Sequence, residues 1–237
     1  MSRPSGDPPE NGSPPTGIRP HLPYPGSMAN PSTSLPYPPL EPYGLATLAF
    51  DPERFTGRFR ARDGQEVRVR LIRPEDWPLL VDLFHHLSPE ARWRRFHTAV
   101  EDPDPAFVEE MARRLARVDN QGQGGAVLAL ADRGAGEILV GVGRLGRPPE
   151  TPDSPEAEVA IVVRDDWQGQ GVGTVLAALL IPLARRMGVQ ELWALTQADN
   201  TPLFQVIRGM EAALEMHTSA GETEIRVQLD RFPLAFP

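Results

Sequence analysis

Two reactive side-chain types are missing from this chain of 237 residues, which contains neither cysteine nor lysine. Without cysteine it forms no disulfide, no cysteine-ligated metal site and no thiolate nucleophile, so covalent catalysis through a cysteine is excluded. Without lysine it cannot carry the Gly-Lys-Ser/Thr sequence of a nucleoside-triphosphate loop, so that class of phosphate site is excluded as well. All 24 basic residues other than histidine are therefore arginine.

Positive charge is also scarce, because 24 basic residues stand against 32 acidic ones and leave a net charge of −8. Nucleic-acid binding requires a basic face, so we expect no nucleic-acid partner, and a partner attracted by charge would be cationic. No apolar run reaches the length that spans a membrane, and the proline-rich N-terminus lacks the pattern of a signal peptide. We therefore expect a cytoplasmic protein with no membrane partner.

Proline separates a tail from one folded domain. Residues 1–47 hold thirteen of the 27 prolines, with Gly, Ser and Asn between them. Such a segment cannot bury enough apolar surface to offset the entropy of ordering it, so we expect a disordered or polyproline II tail. Residues 48–237 are expected to form the domain. The tyrosines of the tail leave a second interpretation open, a ligand for a proline-recognising partner; they are Tyr24, Tyr37 and Tyr43.

Hydrophobic periodicity predicts strands alternating with helices in the domain. Asp63-Gly64 is typical of a two-residue hairpin turn. The third predicted helix, 105–118, has Phe107 and Met111 on its buried stripe. The predicted strands cover 58–62, 66–72, 126–131, 138–145, 159–163, 190–196, 214–218 and 223–229. The predicted helices begin near Pro74, Ser88, Pro105, Val175 and Thr201. We expect residues 159–163 to pair in parallel with 192–195 through the helix between them.

The histidines do not form a recognisable metal site. His85 and His86 are adjacent on a predicted helix and therefore point to different faces. No set of histidine and carboxylate ligands closes around them or around His97. We expect no metal.

The stretch from Glu156 to Thr174 predicts a strand, a sharp turn and the start of a helix. Residues 159–163 are apolar and mostly β-branched, which is typical of a strand buried on both faces. Gly169, Gly171 and Gly173 follow, and an apolar run of helical length comes next. The first N–H groups of a helix have no internal partner, and its dipole adds partial positive charge. This turn is therefore a candidate phosphate site.

Gly169, Gly171 and Gly173 do not form a dinucleotide-binding loop, because their spacing does not fit G-x-G-x-x-G. That pattern does occur at residues 141–146, but Pro148-Pro149 follows it, so no helix can begin there to receive a pyrophosphate. The glycines at 141–146 instead indicate a β-bulge or the close approach of a ligand.

Residues 168–173, Gln-Gly-Gln-Gly-Val-Gly, match the pattern Q/R-x-x-G-x-G/A and resemble the pyrophosphate loop of the GNAT superfamily of N-acetyltransferases. Val163 begins a V-x-x-x-x-Q run similar to the family's fourth strand, and Asn200 follows the next strand, where the family often has asparagine. Residues 69–76 and 87–96 resemble the Ile-Arg-Pro-x-Asp and Leu-Ser-Pro-Glu-Ser-x-x-Arg-Phe segments of bacterial Pat-type protein lysine acetyltransferases.

This resemblance covers residues 56–230 and implies the GNAT fold, an α/β fold that some schemes class as α+β. That fold has a mixed central sheet of about seven strands, helices on both faces and a splayed pair of parallel strands. Acetyl-CoA is the implied cosubstrate and would lie in the splay. Its pantetheine arm would bond the backbone of Ile161, Val162 and Val163, and its diphosphate would lie on Gln168, Gly169, Gln170, Gly171, Val172, Gly173 and Thr174. Asn200 would bond cofactor or substrate, with capping of the next helix as the alternative.

Acetyl transfer to an amine requires a base, because a lysine amine with a pKa of about 10.4 is almost wholly protonated at neutral pH. Glu156 and Glu158 share one face of the predicted strand, and we expect Glu158 to be partly buried, which would raise its pKa toward the useful range. Glu158 also falls where Pat-type enzymes carry their general base, so we predict Glu158 as the base and Glu156 as the alternative. Ile207 stands where many GNAT enzymes have a tyrosine that protonates the leaving thiolate.

The predicted function is transfer of an acetyl group from acetyl-CoA to a primary amine, by direct attack with Glu158 as general base. Protein lysine is the expected acceptor, and a small amine or antibiotic is the alternative acceptor. A non-catalytic acyl-CoA-binding regulatory module is the alternative class of protein. The sequence leaves open the acceptor's identity, the oligomeric state and the preferred acyl chain.

Overall fold

The computed structural model describes residues 48–96, 103–134, 136–208 and 214–231. Residues 1–47, for which the sequence predicts a tail, lie outside this part of the chain. The strands are β1 (Ala49–Asp51), β2 (Thr56–Arg60), β3 (Glu66–Leu71), β4 (Gly124–Asp132), β5 (Glu137–Gly146), β6 (Glu156–Val163), β7 (Glu191–Gln197), β8 (Leu214–Ser219) and β9 (Glu222–Gln228). The helices are α1 (Trp77–His85), α2 (Pro89–Phe96), α3 (Pro105–Ala116), α4 (Val172–Arg186) and α5 (Thr201–Arg208).

The strands join one mixed sheet in the order β1-β2-β3-β4-β5-β6-β7-β9-β8. Neighbouring strands are antiparallel except β6 and β7, which run parallel because α4 connects them across the sheet. The predicted fold class is confirmed. The nine strands exceed the expected number of about seven, in part because β1 has only three residues and no alternation that would mark it in the sequence.

Strand β4 divides two hydrophobic cores, because it is buried along almost its whole length. Ala126, Leu128 and Leu130 belong to the core that includes side chains of α1 and α3. Val127 and Ala129 belong to the other core, which is formed mainly with α4. This division follows from the two-residue period of a strand. Within the described residues, no helix is both long enough and apolar enough to cross a membrane.

The sequence predicts that α3 packs on the core with the face that carries its large apolar residues, but a different face of the helix does so. Phe107, expected inside, has 57% of its surface exposed. The buried residues of α3 are Val108, Ala112 and Ala116. These side chains are four residues apart and small, so they form the line along which the helix can pack closely. The prediction for Phe107 is therefore wrong.

The glycines of β5 serve the packing of α4 on the sheet. The register between β4 and β5 shifts beside Val140, which is the extra residue of a β-bulge, as one of the two sequence interpretations predicts. A Cβ atom added at Gly141 would come within 3.0 Å of side-chain atoms of Leu176 and Val172 on α4. The close approach at this glycine is thus made by a helix.

The segment from Arg70 to Asp76 ties β3 to the start of α1. The carboxylate of Asp76 accepts hydrogen bonds from two nitrogens of Arg70, at 2.6 and 2.7 Å, and from the backbone N–H of Arg73, at 2.7 Å. Burial alone would raise the pKa of Asp76, but the hydrogen bonds from Arg70 and Arg73 outweigh it and hold the pKa below its ordinary value. The Ile-Arg-Pro-x-Asp sequence is therefore structural at this position.

Candidate functional site

Strands β6 and β7 part at one end and leave a V-shaped gap in the sheet. They pair only over Glu156–Glu158 and Glu191–Trp193. The sequence predicts pairing of residues 159–163 with 192–195, and this is wrong. In the described part of the chain, residues 159–163 pair with β5 on one edge and with no strand on the other. Apart from the carbonyl of Val163, which accepts a hydrogen bond from Nε2 of Gln168 at 3.5 Å, backbone groups on that edge are available to an extended ligand.

The glycine loop lies at the open end of the gap and leads directly into α4. Gly171 is the residue before the helix and has φ = +88°, and Gly169 has φ = +73°. Both values lie in the left-handed region that favours glycine. The N–H groups of the first helical turn, from Val172, Gly173 and Thr174, have no partner within the helix. The loop is therefore followed by a set of hydrogen-bond donors at the positive end of the helix dipole.

The turn between β2 and β3 holds this loop from the side. Arg62 donates from its backbone N–H to the carbonyl oxygen of Gln170, at 3.2 Å, and from Nη1 to the carbonyl oxygen of Gly169, at 2.8 Å. The side-chain oxygen of Gln170 accepts the N–H of Asp63, at 3.1 Å. Arg62 is not among the residues that sequence reasoning selected, because a contact across 107 positions leaves no local signal. Its guanidinium brings a positive charge to the loop.

A cleft of about 500 Å³ occupies the gap and reaches the loop. Ten of the predicted site residues line it, namely Glu158, Ile161, Val162, Val163, Gln168, Gly169, Gly171, Gly173, Thr174 and Asn200. Two others do not. The side chain of Gln170 bonds the β2–β3 turn, and Val172 is buried in the core. The structure thus brings most of the predicted residues to one place.

Glu158 lies at the vertex of the V, in the last backbone pair of β6 with β7. Its side chain is exposed to the cleft, so the expected partial burial is wrong. The physical reason is that β6 and β7 begin to part beside it, so its side chain faces the gap between them. In the part of the chain that the structure describes, Glu158 has no ion-pair partner.

Glu156, the alternative base, belongs to a charge cluster at the closed end of the V. Nη1 of Arg226 lies 3.5 Å from a carboxylate oxygen of Glu156, and Arg226 also contacts Glu191 and Glu224. The hydrogen bonds from Arg226, first to Glu224 and then to Glu191, raise the pKa of Arg226 above its ordinary value. Glu156 is not among the residues that line the cleft. Of the two carboxylates on this strand face, only Glu158 is positioned to meet a ligand.

Asn200 caps α5 at the edge of the cleft. Its Oδ1 accepts the backbone N–H of Leu203, at 3.3 Å, and its Nδ2 donates to Oγ1 of Thr196, at 2.7 Å. The capping interpretation therefore describes this side chain. Asn200 also lines the cleft, and its part in ligand binding stays a prediction.

The start of α2 forms another wall of the cleft, through Ser88, Glu90 and Ala91. The backbone N–H of Ser88 donates to Asp165, at 3.0 Å, which joins α2 to the segment that follows β6. Along the whole cleft, the acidic lining residues Glu90, Glu158 and Asp165 outnumber the one basic lining residue, Arg62. A ligand that presents an amine or another cationic group would be favoured here.

His85 ends α1 and His86 follows it, and each ring lies close to a nearby side chain. The ring of His85 lies edge-on to Phe84, with 5.8 Å between centroids, and His86 lies 3.4 Å from the carboxylate of Asp82. His97 is outside the described residues. In the described ranges no group of three or more metal-ligating side chains occurs.

The chain is similar to known acetyltransferases. A family model described as an acetyltransferase (GNAT) domain matches residues 66–211. Acetyltransferase PA5475 of Pseudomonas aeruginosa is 31% identical over 138 residues, which are 58% of this chain and 70% of that protein. Acetyltransferase Pat of Mycolicibacterium smegmatis is 29% identical over 153 residues, which are 62% of this chain and 41% of that protein. The chain thus matches less than half of the length of Pat.

A solved structure agrees on the fold. The GNAT domain of PAT from S. lividans has 23% sequence identity to this chain and a TM-score of 0.61. The superposition covers 73% of this chain and 96% of that domain. The mixed sheet, the helices on both faces and the gap between β6 and β7 are therefore those of a GNAT fold.

Proposed function

Because this chain belongs to the acetyltransferase (GNAT) family and is an acyltransferase, we propose that it transfers the acetyl group of acetyl-CoA to a primary amine of a protein lysine. One observation carries the proposal. A single cleft brings together the free edge of β6, the glycine loop before α4 and the exposed carboxylate of Glu158. We assign the activity to residues 48–237, as a cytoplasmic enzyme, with residues 1–47 as a tail.

The residues of the cleft fit a nucleotide thioester. Small-molecule pockets have volumes of about 300–1,000 Å³, and this cleft, at about 500 Å³, is within that range. The N–H groups of Val172, Gly173 and Thr174 would meet a diphosphate at the start of α4, and the charge of Arg62 lies beside them. The free backbone edge of residues 161–163 would bond the amides of a pantetheine arm as an added strand does.

The direction of β6 then brings the thioester to Glu158. An arm that begins at the glycine loop, after Val163, and follows β6 backwards ends at the vertex, where Glu158 is exposed. There Glu158 accepts a proton from the attacking amine, directly or through water. The C–N bond forms as the C–S bond breaks, and the electron pair of that bond leaves on sulfur.

The leaving thiolate needs little assistance in this mechanism. A free thiol has a pKa of about 8.5, so its anion is a tolerable leaving group near neutral pH. This agrees with Ile207, which stands in the place of the tyrosine acid of many GNAT enzymes and lines an apolar cavity.

A protein lysine suits the charge around the cleft. Glu90, Glu158 and Asp165 are acidic, and the chain as a whole carries a net charge of −8. Such a surface favours the approach of a cationic partner. The likeness of residues 87–96 to Pat-type protein lysine acetyltransferases supports a protein acceptor over a small amine or antibiotic.

The test has two stages and uses the full chain. Calorimetry measures association with acetyl-CoA, and a thiol reagent then measures CoA released in the presence of lysine-containing proteins or of free amines. Release with proteins alone supports the proposal, and release with free amines alone assigns the small-molecule alternative. Binding without release in any mixture indicates a non-catalytic acyl-CoA-binding module. Absence of binding refutes the cofactor assignment.

A further inference from the structure

A second cavity, of about 70 Å³, lies behind the vertex of the V. It is placed between β6, β7 and β9 of the sheet and the helices α4 and α5. The described side chains that line it are all Val, Ile, Leu, Ala or Trp. Cavities with such linings stay dry and accept apolar guests. A hydrocarbon group is therefore the kind of occupant that this cavity favours.

This apolar cavity adjoins the cleft at the point where the strands part. Val159 and Ala194 are the first residues beyond the last backbone pair, which joins Glu158 to Trp193. Both Val159 and Ala194 line the cleft and the apolar cavity. An acyl group held at the vertex would thus have the cavity directly ahead of it.

The volume limits the length of chain that the cavity can hold. An apolar cavity of about 150 Å³ takes benzene, which has six carbons. The 70 Å³ found here therefore corresponds to about three carbons. An acetyl group has a single carbon beyond its carbonyl, whereas a butyryl group has three, so acetyl leaves most of the space empty.

We propose that the enzyme transfers straight acyl chains of up to about four carbons and uses butyryl-CoA better than acetyl-CoA. This inference rests on the proposed function, because it requires the thioester to lie at the vertex. The chemistry is that of acetyl transfer. The amine nitrogen bonds the carbonyl carbon, the C–S bond breaks, coenzyme A leaves with the electron pair, and the amine proton passes to Glu158.

The expected preference follows from burial of methylene groups. Each buried methylene changes an affinity about fourfold, so the two additional carbons of butyryl should raise kcat/KM on the order of tenfold. A hexanoyl chain exceeds the volume and would have to displace packed side chains, so its kcat/KM should fall again. The profile from acetyl through propionyl and butyryl to hexanoyl should therefore have a maximum at butyryl.

Two substitutions change the cavity without changing the cleft. Ala177 and Ile207 line the apolar cavity and are not among the residues lining the cleft. Ala177→Leu should fill the cavity, lower kcat/KM for butyryl-CoA about tenfold and leave acetyl-CoA within twofold. Ile207→Ala should enlarge it and move the maximum toward hexanoyl-CoA. Ala106→Leu, the same chemical change at an exposed position of α3, is the matched control and should keep the original profile.

The measurements are kcat/KM for the four thioesters with one amine acceptor, calorimetry of each thioester, and a melting curve for each variant. If acetyl-CoA binds and turns over faster than butyryl-CoA, the inference is wrong while the proposed function stands. The same holds if neither cavity variant alters the profile. If none of the thioesters binds, it is the proposed function that fails. Should Ala177→Leu not fold, Ile207→Ala decides the question by itself.

Discussion

Replacement of Glu158 by glutamine tests the proposed catalytic chemistry most directly. The substitution keeps the size of the side chain and removes its ability to accept a proton. General bases contribute about 10²- to 10⁴-fold to rates. Because Glu158 is exposed at the vertex, water can take over part of its role. We therefore expect kcat to fall near the lower end of that range, about 10²-fold.

Binding of acetyl-CoA should not change in this variant. The contacts proposed for the diphosphate and the pantetheine arm come from the loop before α4 and from the backbone of residues 161–163. None of them uses the carboxylate of Glu158. The dissociation constant measured by calorimetry should stay within twofold of the wild-type value.

Glu156→Gln is the matched control, since it makes the same change two residues earlier on the same strand face. Glu156 is 3.5 Å from Arg226, which keeps Glu191 and Glu224 as partners after the change. A partly exposed pair of this kind contributes about 0.2–1 kcal/mol, so only a small shift of the melting temperature is expected, with kcat within twofold. Equal losses of kcat in both variants, or no loss in Glu158→Gln, would refute the assignment of the base.

Substitutions at three other positions test the loop and the fold. Arg62→Ala removes a hydrogen bond of 2.8 Å to Gly169 and a positive charge beside the loop, so calorimetry should show about tenfold weaker acetyl-CoA binding. Arg62→Lys should recover part of the affinity, and an acetyl-pantetheine thioester, which lacks the diphosphate, should lose less. In Gly171→Ala the added Cβ atom meets no other atom within 4 Å, but alanine is forced to φ = +88°. This backbone strain is about 1–2 kcal/mol. It should weaken acetyl-CoA binding, measured by calorimetry, and cause only a small fall in the melting temperature. Asp76→Asn leaves half-buried Arg70 without its carboxylate and should lower the free energy of unfolding by about 3 kcal/mol in urea titrations. Because the folded-state pKa of Asp76 is depressed, its stabilisation is complete above the unfolded value of about 3.9 and is lost as pH falls through the lower folded value, so the difference between wild type and Asp76→Asn should shrink in acid.

Local patterns in the sequence predicted the elements of the site well. The alternating glycines and the apolar run after them predicted a loop and a helix, and Gly171 immediately precedes α4. The sequence predicts that the G-x-G-x-x-G pattern at 141–146 lies in a strand, and it does lie in β5. Such features depend on backbone conformation and on side-chain periodicity, and residues close together in the sequence determine both.

Predictions that depended on neighbours in space were less accurate. The large apolar side chain of Phe107 predicts an inward position, but the small residues of α3 form the buried stripe of that helix. The sequence predicts pairing of 159–163 with 192–195, whereas β6 and β7 separate after Glu158. Helix rotation and strand register are settled by competition among several packing partners, and a single segment does not reveal that competition.

By itself the sequence determined the family, the mixed sheet and the glycine loop at the start of α4. The tertiary structure decided which carboxylate can meet a ligand. Arg226, which is far from Glu156 in the sequence, forms an ion pair with it, whereas Glu158 is exposed to the cleft. The tertiary structure also brought Arg62 to a loop 107 residues away and opened an apolar cavity behind the vertex. These features arise where segments remote in the chain meet, and their geometry is set by how the whole core packs.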